Sequence, residues 1–166
     1  MKKTNKKDIP KHLRIWPGLS VRDCEQIVEA PEKDCLVAKR YPFWIDKGSI
    51  SDGRRITILT EKYVYSINEE IRVLHVFEAI APGYTVYVMG PKPIHGEYID
   101  SRLVTASDGE EVFMVSEDYD GMVLSSPAVD YNYEVTSYTF SQPGTHEIYW
   151  KIDNLKSNII TIEITI

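Results

Sequence analysis

The amino-acid sequence predicts an all-β protein, an antiparallel β-sandwich with one short helix near its N-terminus. From Ser51 onward, apolar and polar residues alternate in short runs of period two, the pattern of strands with one buried face. Pairs such as Asp52-Gly53, Pro82-Gly83, Asp108-Gly109 and Asp120-Gly121 separate these runs, at roughly the 8–12-residue spacing of sandwiches and barrels. The chain closes on "PGTHEIYWKIDNLKSNIITIEITI", Pro143 to Ile166, where the alternation is almost unbroken.

With 166 residues, 43% of them hydrophobic, the chain has the length and apolar content for one ordinary core. Its start carries Lys2, Lys3, Lys6, Lys7, Lys11 and Arg14 against Asp8 alone, and such Lys-rich termini are expected to be solvated. Residues 1–18 are therefore assigned to a flexible basic tail and 19–166 to a single domain, with a helical and edge extension over 19–50 and the sandwich core over 51–166. Within the extension, "SVRDCEQIVEAP" predicts the helix: Ser20 as N-cap, Val21, Cys24, Ile27 and Val28 on one face, Pro31 as the stop. "CLVAKRYPFWID" follows as an edge or interrupted strand, because Pro42 cannot donate to a ladder.

In the core, "EIRVLHVFEA" is the strongest strand. Ile71, Val73, His75 and Phe77 share one face, and Leu74 and Val76 the other, so it is expected inside a sheet with both faces covered. His75 is accordingly expected to be a buried neutral imidazole with a backbone partner. "GPKPIHGEYID" departs from the pattern, since prolines and glycines at this density cannot hold a ladder; a rigid, exposed loop is predicted. In the final hairpin, Ile148, Trp150 and Ile152 face the core from one strand and Ile160, Ile162, Ile164 and Ile166 from the other. Burying these side chains is worth on the order of 10 kcal/mol before chain entropy is subtracted.

"PGTHEIYWKI" followed by "KSNIITIEITI" resembles the last two strands of bacterial immunoglobulin-like and fibronectin-III-like domains: a Gly after a turn, an inward aromatic strand, and a Ser-Asn pair opening the last strand. The resemblance implies an immunoglobulin-like sandwich whose role is to bind. Such domains often carry a tyrosine two residues beyond that Gly, with its hydroxyl tying the corner. His146 stands at that position, so the resemblance implies an imidazole in its place.

Signatures of catalysis are sparse. The sequence has no GxSxG elbow and no GxGxxG or Walker-type loop, and no cofactor is expected. His12, His75, His95 and His146 are too scattered for a paired-His zinc motif. "SEDYDGM" lacks the remaining ligands of an EF-hand, although Asp118 and Asp120 stay candidates for a simpler calcium site. Cys24 and Cys35 would form a disulfide in an oxidising compartment and remain thiols in a reducing one. The net charge of −6 argues against nucleic acid as a partner. No apolar run reaches the length of a membrane span or follows the basic start as a signal peptide requires. The cytoplasm is the expected compartment, or the extracellular space if a leader has been removed.

The positive signal is aromatic: eleven Tyr, a residue whose flat face and polar tip suit sugars and peptides. The expected function is a non-enzymatic binding module for a protein or carbohydrate partner. Its expected contacts are Lys92, Ile94, His95, Glu97 and Tyr98 on the Pro-rich loop, with Tyr131 and Tyr133 as a second patch. The alternative is a structural subunit of a larger assembly, joined by edge-strand pairing. A metal-dependent hydrolase and a protease inhibitor rank behind both.

Overall fold

A computed structural model describes residues 9–23, 26–88, 91–105 and 122–166. The regular elements begin with a ribbon of β1 (Ser20–Asp23) and β2 (Gln26–Glu29), then the helix α1 (Glu32–Ala38). Next come β3 (Arg54–Leu59), β4 (Val64–Ser66), β5 (Ile71–Ala79), β6 (Thr85–Val88), β7 (Glu97–Ile99) and β8 (Arg102–Leu103). The last are β9 (Met122–Ser125), β10 (Ala128–Asp130), β11 (Thr136–Tyr138), β12 (Gly144–Ile152), β13 (Leu155–Lys156) and β14 (Ile160–Thr165).

These strands build two main sheets. β5 is the centre of the first, with β3 along one edge while β10 and β11 share the other. The second runs β4-β14-β12-β7-β8, with β13 folded back on β12. Among the described strands pairing is antiparallel, apart from the parallel contact of β4 with β14. The sheets face each other across Ile56, Ile58, Ile71 and Val73 of the first and Ile148, Trp150, Ile160, Ile162 and Ile164 of the second. The alternation read from the C-terminal hairpin is therefore the inner face of a sheet. It stops one residue short of expectation, because Ile166 lies beyond β14 and is 95% exposed.

The expectation for β5 holds on both counts: it has neighbours on both edges and both its faces are covered. Its second face meets a layer made by the N-terminal segment, in which Ile9, Leu13, Leu19, Cys35, Val37, Ala38 and Tyr41 pack against Leu59, Leu74, Val76 and Val129. The stretch assigned to a solvated tail is thus packed from Ile9 onward. Its apolar residues Ile9, Leu13 and Trp16 recur at intervals of four and three, so they reach one surface together.

The helix lies further along the chain than the spacing of Val21, Ile27 and Val28 suggests. Those residues sit in the β1–β2 ribbon, as their β-branched side chains favour, and Ile27 and Val28 are exposed. Pro31 precedes α1 instead of ending a helix. Its preset φ of −52° suits a helix start, and no intrahelical donor is needed there. Glu32 and Asp34 then supply negative charge to the first turn. The stretch read as an edge strand is in fact α1 and the 3-10 turn Tyr41–Phe43.

One connection shows how the sheets are locked. The Asn158 side chain accepts from the Ile58 N–H at 2.8 Å and donates to the Ile58 carbonyl at 3.1 Å, while Ser157 Oγ accepts from the Trp150 N–H at 2.8 Å. The Ser-Asn pair before the last strand therefore acts as a buried clasp between β3 and β12, with both residues removed from solvent.

Candidate binding site

The predicted contact loop turns inward. Lys92 is bridged to Tyr133 through backbone bonds to Asn132 and Glu134 of 3.0 and 2.8 Å, and its ammonium pairs with the buried Asp130 while lying 4.6 Å from the Tyr133 ring centroid. Burial pushes the Asp130 carboxyl up and the Lys92 ammonium down, and their mutual attraction reverses neither shift fully. Ile94 joins the core between the sheets. The His95 carbonyl accepts from the Trp150 indole at 2.9 Å. At Gly96 a φ of +77° and a backbone approach that would put a Cβ 2.0 Å from the Lys151 carbonyl oxygen leave room only for glycine. Of the predicted contacts, Ile94, Glu97 and Tyr131 are buried, and Lys92, His95, Tyr98 and Tyr133 are partly covered, Tyr98 stacked on Tyr149 at 5.0 Å and 7°.

Glu97 is the hub of this inward turn. Its carboxylate is fully buried and meets His75 Nε2, the Thr136 hydroxyl at 2.5 Å and the Tyr138 hydroxyl. The other ring nitrogen of His75, Nδ1, meets the Glu134 carbonyl at 3.0 Å, the backbone partner expected for this residue. Trp150 packs edge-on against the imidazole, its centroid 5.0 Å away. Burial alone would raise the Glu97 pKa, but the charge and hydrogen bond of His75, helped by Thr136 and Tyr138, leave it below the ordinary value of 4.5.

A second buried carboxylate fastens the N-terminal layer to β5. Glu78 accepts from the Tyr41 hydroxyl at 2.5 Å and from Arg55 Nε at 2.8 Å, and meets His12 Nε2 at 2.6 Å. Burial again works to raise its pKa, and the three partners outweigh it to hold the group below 4.5. A carboxylate depressed in the folded state gives stability that is complete above its unfolded pKa and lost as the pH falls toward the folded one. Urea midpoints are therefore expected to drop as the pH is lowered through about 4.5 toward 3, and Glu97→Gln and Glu78→Gln should each flatten that drop. Asp130, shifted upward, opposes the trend. A midpoint that does not change over this range would contradict the assignment.

The layer that Glu78 secures carries a cavity of about 350 Å³. The buried residues Ile9, Leu13 and Tyr131 line it together with Trp16 and Pro42, and Ile15 and Phe43, 68% and 48% exposed, lie at its opening. Trp16 and Tyr131 form an aromatic pair with centroids 5.2 Å apart, and Tyr41 meets Tyr131 edge-on at 5.9 Å. The charged lining groups are Arg14 and Lys39; the Lys39 ammonium lies 5.1 Å from the Trp16 ring centroid. Tyr131 is thus a predicted contact residue that reaches a concave surface. No sequence pattern marks the rest of that surface, because its residues come from a stretch dominated by lysines and from turns around Pro42.

Other predicted features fall elsewhere. Cys24, Asp118 and Asp120 lie outside the described residues. Cys35 is a buried free cysteine whose thiol donates to the Ala30 carbonyl at 3.6 Å. His146 Nδ1 meets Asp100, in the turn between β7 and β8, at 2.6 Å, and the ring stacks on Phe140. Among the described residues, no three His, Cys, Asp or Glu side chains gather as a metal site, and no helix is long and apolar enough to cross a membrane. Comparison of the chain with protein-family models, curated proteins and solved structures gave no match.

Proposed function

We propose that this chain is a non-enzymatic binding module that takes a small apolar ligand into the cavity of its N-terminal layer. The observation that carries the reading is the cavity itself: apolar, open at one side, floored by Tyr131 and of a volume at the lower end of the range for ligand sites. The underlying frame is read as immunoglobulin-like. Support comes from the sheet that places the last two strands beside the β7–β8 hairpin, opposite a sheet in which β5 pairs with β11. The buried carboxylates support a structural use of their charge, because Glu97, Glu78 and Asp34 each bind partners within the chain.

The test is a thermal-shift screen of small aromatic and aliphatic compounds against the intact chain and Phe43→Asp. A compound at a hundred times its Kd should add about 2.7 kcal/mol of stability, visible as a raised Tm in the intact chain and absent in the variant. Hits that shift both proteins equally would place binding elsewhere.

A second reading rests on the outer face of the second sheet. There the Tyr98–Tyr149 stack, with the Lys156 ammonium 4.7 Å from the Tyr149 ring, offers a flat aromatic platform to a protein or carbohydrate. Carbohydrate binding on a glycan array, lost on Tyr98→Ala, would favour this face; binding insensitive to that change would exclude it. Edge-strand assembly is less favoured, since Asn158 already occupies the Ile58 backbone groups of β3.

A further inference from the structure

Resting on the reading of the N-terminal cavity as a binding site, we infer that its ligand is a small amphipathic anion: an aromatic or branched apolar body carrying one carboxylate, sulfonate or comparable acidic group. Three observations converge on that class.

The first is charge. Among the described residues, the charged residues that line the cavity, Arg14 and Lys39, are cations, although the whole chain carries a net charge of −6. A concentration of positive charge beside a low-dielectric apolar wall selects anions from solution and fixes the end at which their charged group sits. Lys39 has no carboxylate within ion-pair distance among the described residues; its ammonium lies over the Trp16 ring. An incoming acid would gain a charge-assisted hydrogen bond there without displacing an internal partner.

The second is the wall. Trp16, Tyr131 and Phe43 present aromatic surface beside the aliphatic Ile9 and Leu13, which suits a flat or branched hydrocarbon body and gives a polar chain little to bind. The third is a hydroxyl. Tyr131 is 3% exposed, yet its phenol has no hydrogen-bond partner among the described residues, and burial beside Glu78 pushes its pKa upward. It stays a neutral donor, able to bind a polar or anionic oxygen of the ligand.

Two fluorescent probes separate the inference from the reading beneath it. One is 1-anilinonaphthalene-8-sulfonate, an aromatic anion; the other is N-phenyl-1-naphthylamine, its uncharged counterpart. The intact chain should bind the sulfonate at one site, about tenfold or more tighter than the amine, as one charge-assisted contact provides. Lys39→Gln should remove that preference while leaving the amine unaffected, and Phe43→Asp should abolish both. Equal affinity for the two probes would overturn the anionic inference and leave the cavity as a binding site. Failure of both to bind would overturn the cavity reading itself. Sulfonate binding untouched by both substitutions would put the probe elsewhere and overturn the inference, as would light scattering that shows a dimer broken by Phe43→Asp, since a second copy would then be the occupant.

Discussion

Replacing His75 with alanine is expected to remove about 3–5 kcal/mol of folding stability, the cost of leaving a buried carboxylate without one of its hydrogen-bond partners together with the cavity left by the ring. The Glu97 carboxylate would keep the Thr136 and Tyr138 hydroxyls and lose its imidazole partner, inside a core from which water is excluded. Trp150, packed edge-on against the imidazole, would lose that contact as well. Against a total of roughly 5–15 kcal/mol for a domain of this kind, such a loss brings the chain close to unfolding at ordinary temperature. The measurement is the urea midpoint of His75→Ala beside that of His75→Leu/Glu97→Met, in which both polar partners become apolar. The double variant should recover much of the loss, since a well-packed apolar pair often matches a buried polar pair. A single-variant loss below about 1 kcal/mol would place the pair among contacts of surface strength and refute its role. His146→Ala is the internal comparison: its bond to Asp100 is largely open to solvent and should contribute less than about 1 kcal/mol.

The same pair shows how far the sequence could be read. His75 was legible as a buried ring because it shares a face with Ile71, Val73 and Phe77, a local period-two pattern. Its partner was not, because Glu97 comes from a segment rich in Pro and Gly whose composition signals exposure. What turns that segment inward is long-range: the Lys151 N–H donates to the Gly96 carbonyl at 2.8 Å, the Trp150 indole donates to the His95 carbonyl, and Thr136 and Tyr138 arrive from another strand. No local pattern encodes such partners. A buried carboxylate looks in sequence like any exposed glutamate.

The missed elements near the N-terminus have a different cause. Val21, Ile27 and Val28 fit a helical face by spacing, and the weight given to Pro31 as a terminator decided the reading. A proline is equally suited to open a helix, and the density of β-branched residues before it favoured a ribbon. The cavity-lining residues were masked by charge: a lysine-rich stretch reads as solvated even when Ile9, Leu13 and Trp16 recur at a spacing that lets them meet one surface. The C-terminal hairpin was the most legible part, because nine residues of β12 and six of β14 repeat one pattern and the two strands pair with each other across a short connection.

The second large effect should come from Glu78→Ala, expected to cost about 3 kcal/mol or more by leaving the Tyr41 hydroxyl, Arg55 and His12 without their shared acceptor. Unlike the change at His75, this loss should be unevenly distributed. Glu78 faces away from the inter-sheet core and toward the N-terminal layer, with Arg55 directly across β3 and Val129 across β10. Hydrogen exchange should therefore show lost protection at the Leu13 and Ala30 amides, which bond to the Pro10 and Leu19 carbonyls, while β12 and β14 keep theirs. Because Ile9 and Leu13 are walls of the cavity, probe binding there should weaken in step with the lost protection. Uniform loss of protection over both sheets would mean that Glu78 supports the whole core, and intact probe binding with an exchanging N-terminal layer would mean that the cavity walls do not depend on it. Either result would break the link drawn between this carboxylate and the binding site; the expected one makes Glu78 the residue through which the sheet holds its ligand-binding layer in shape.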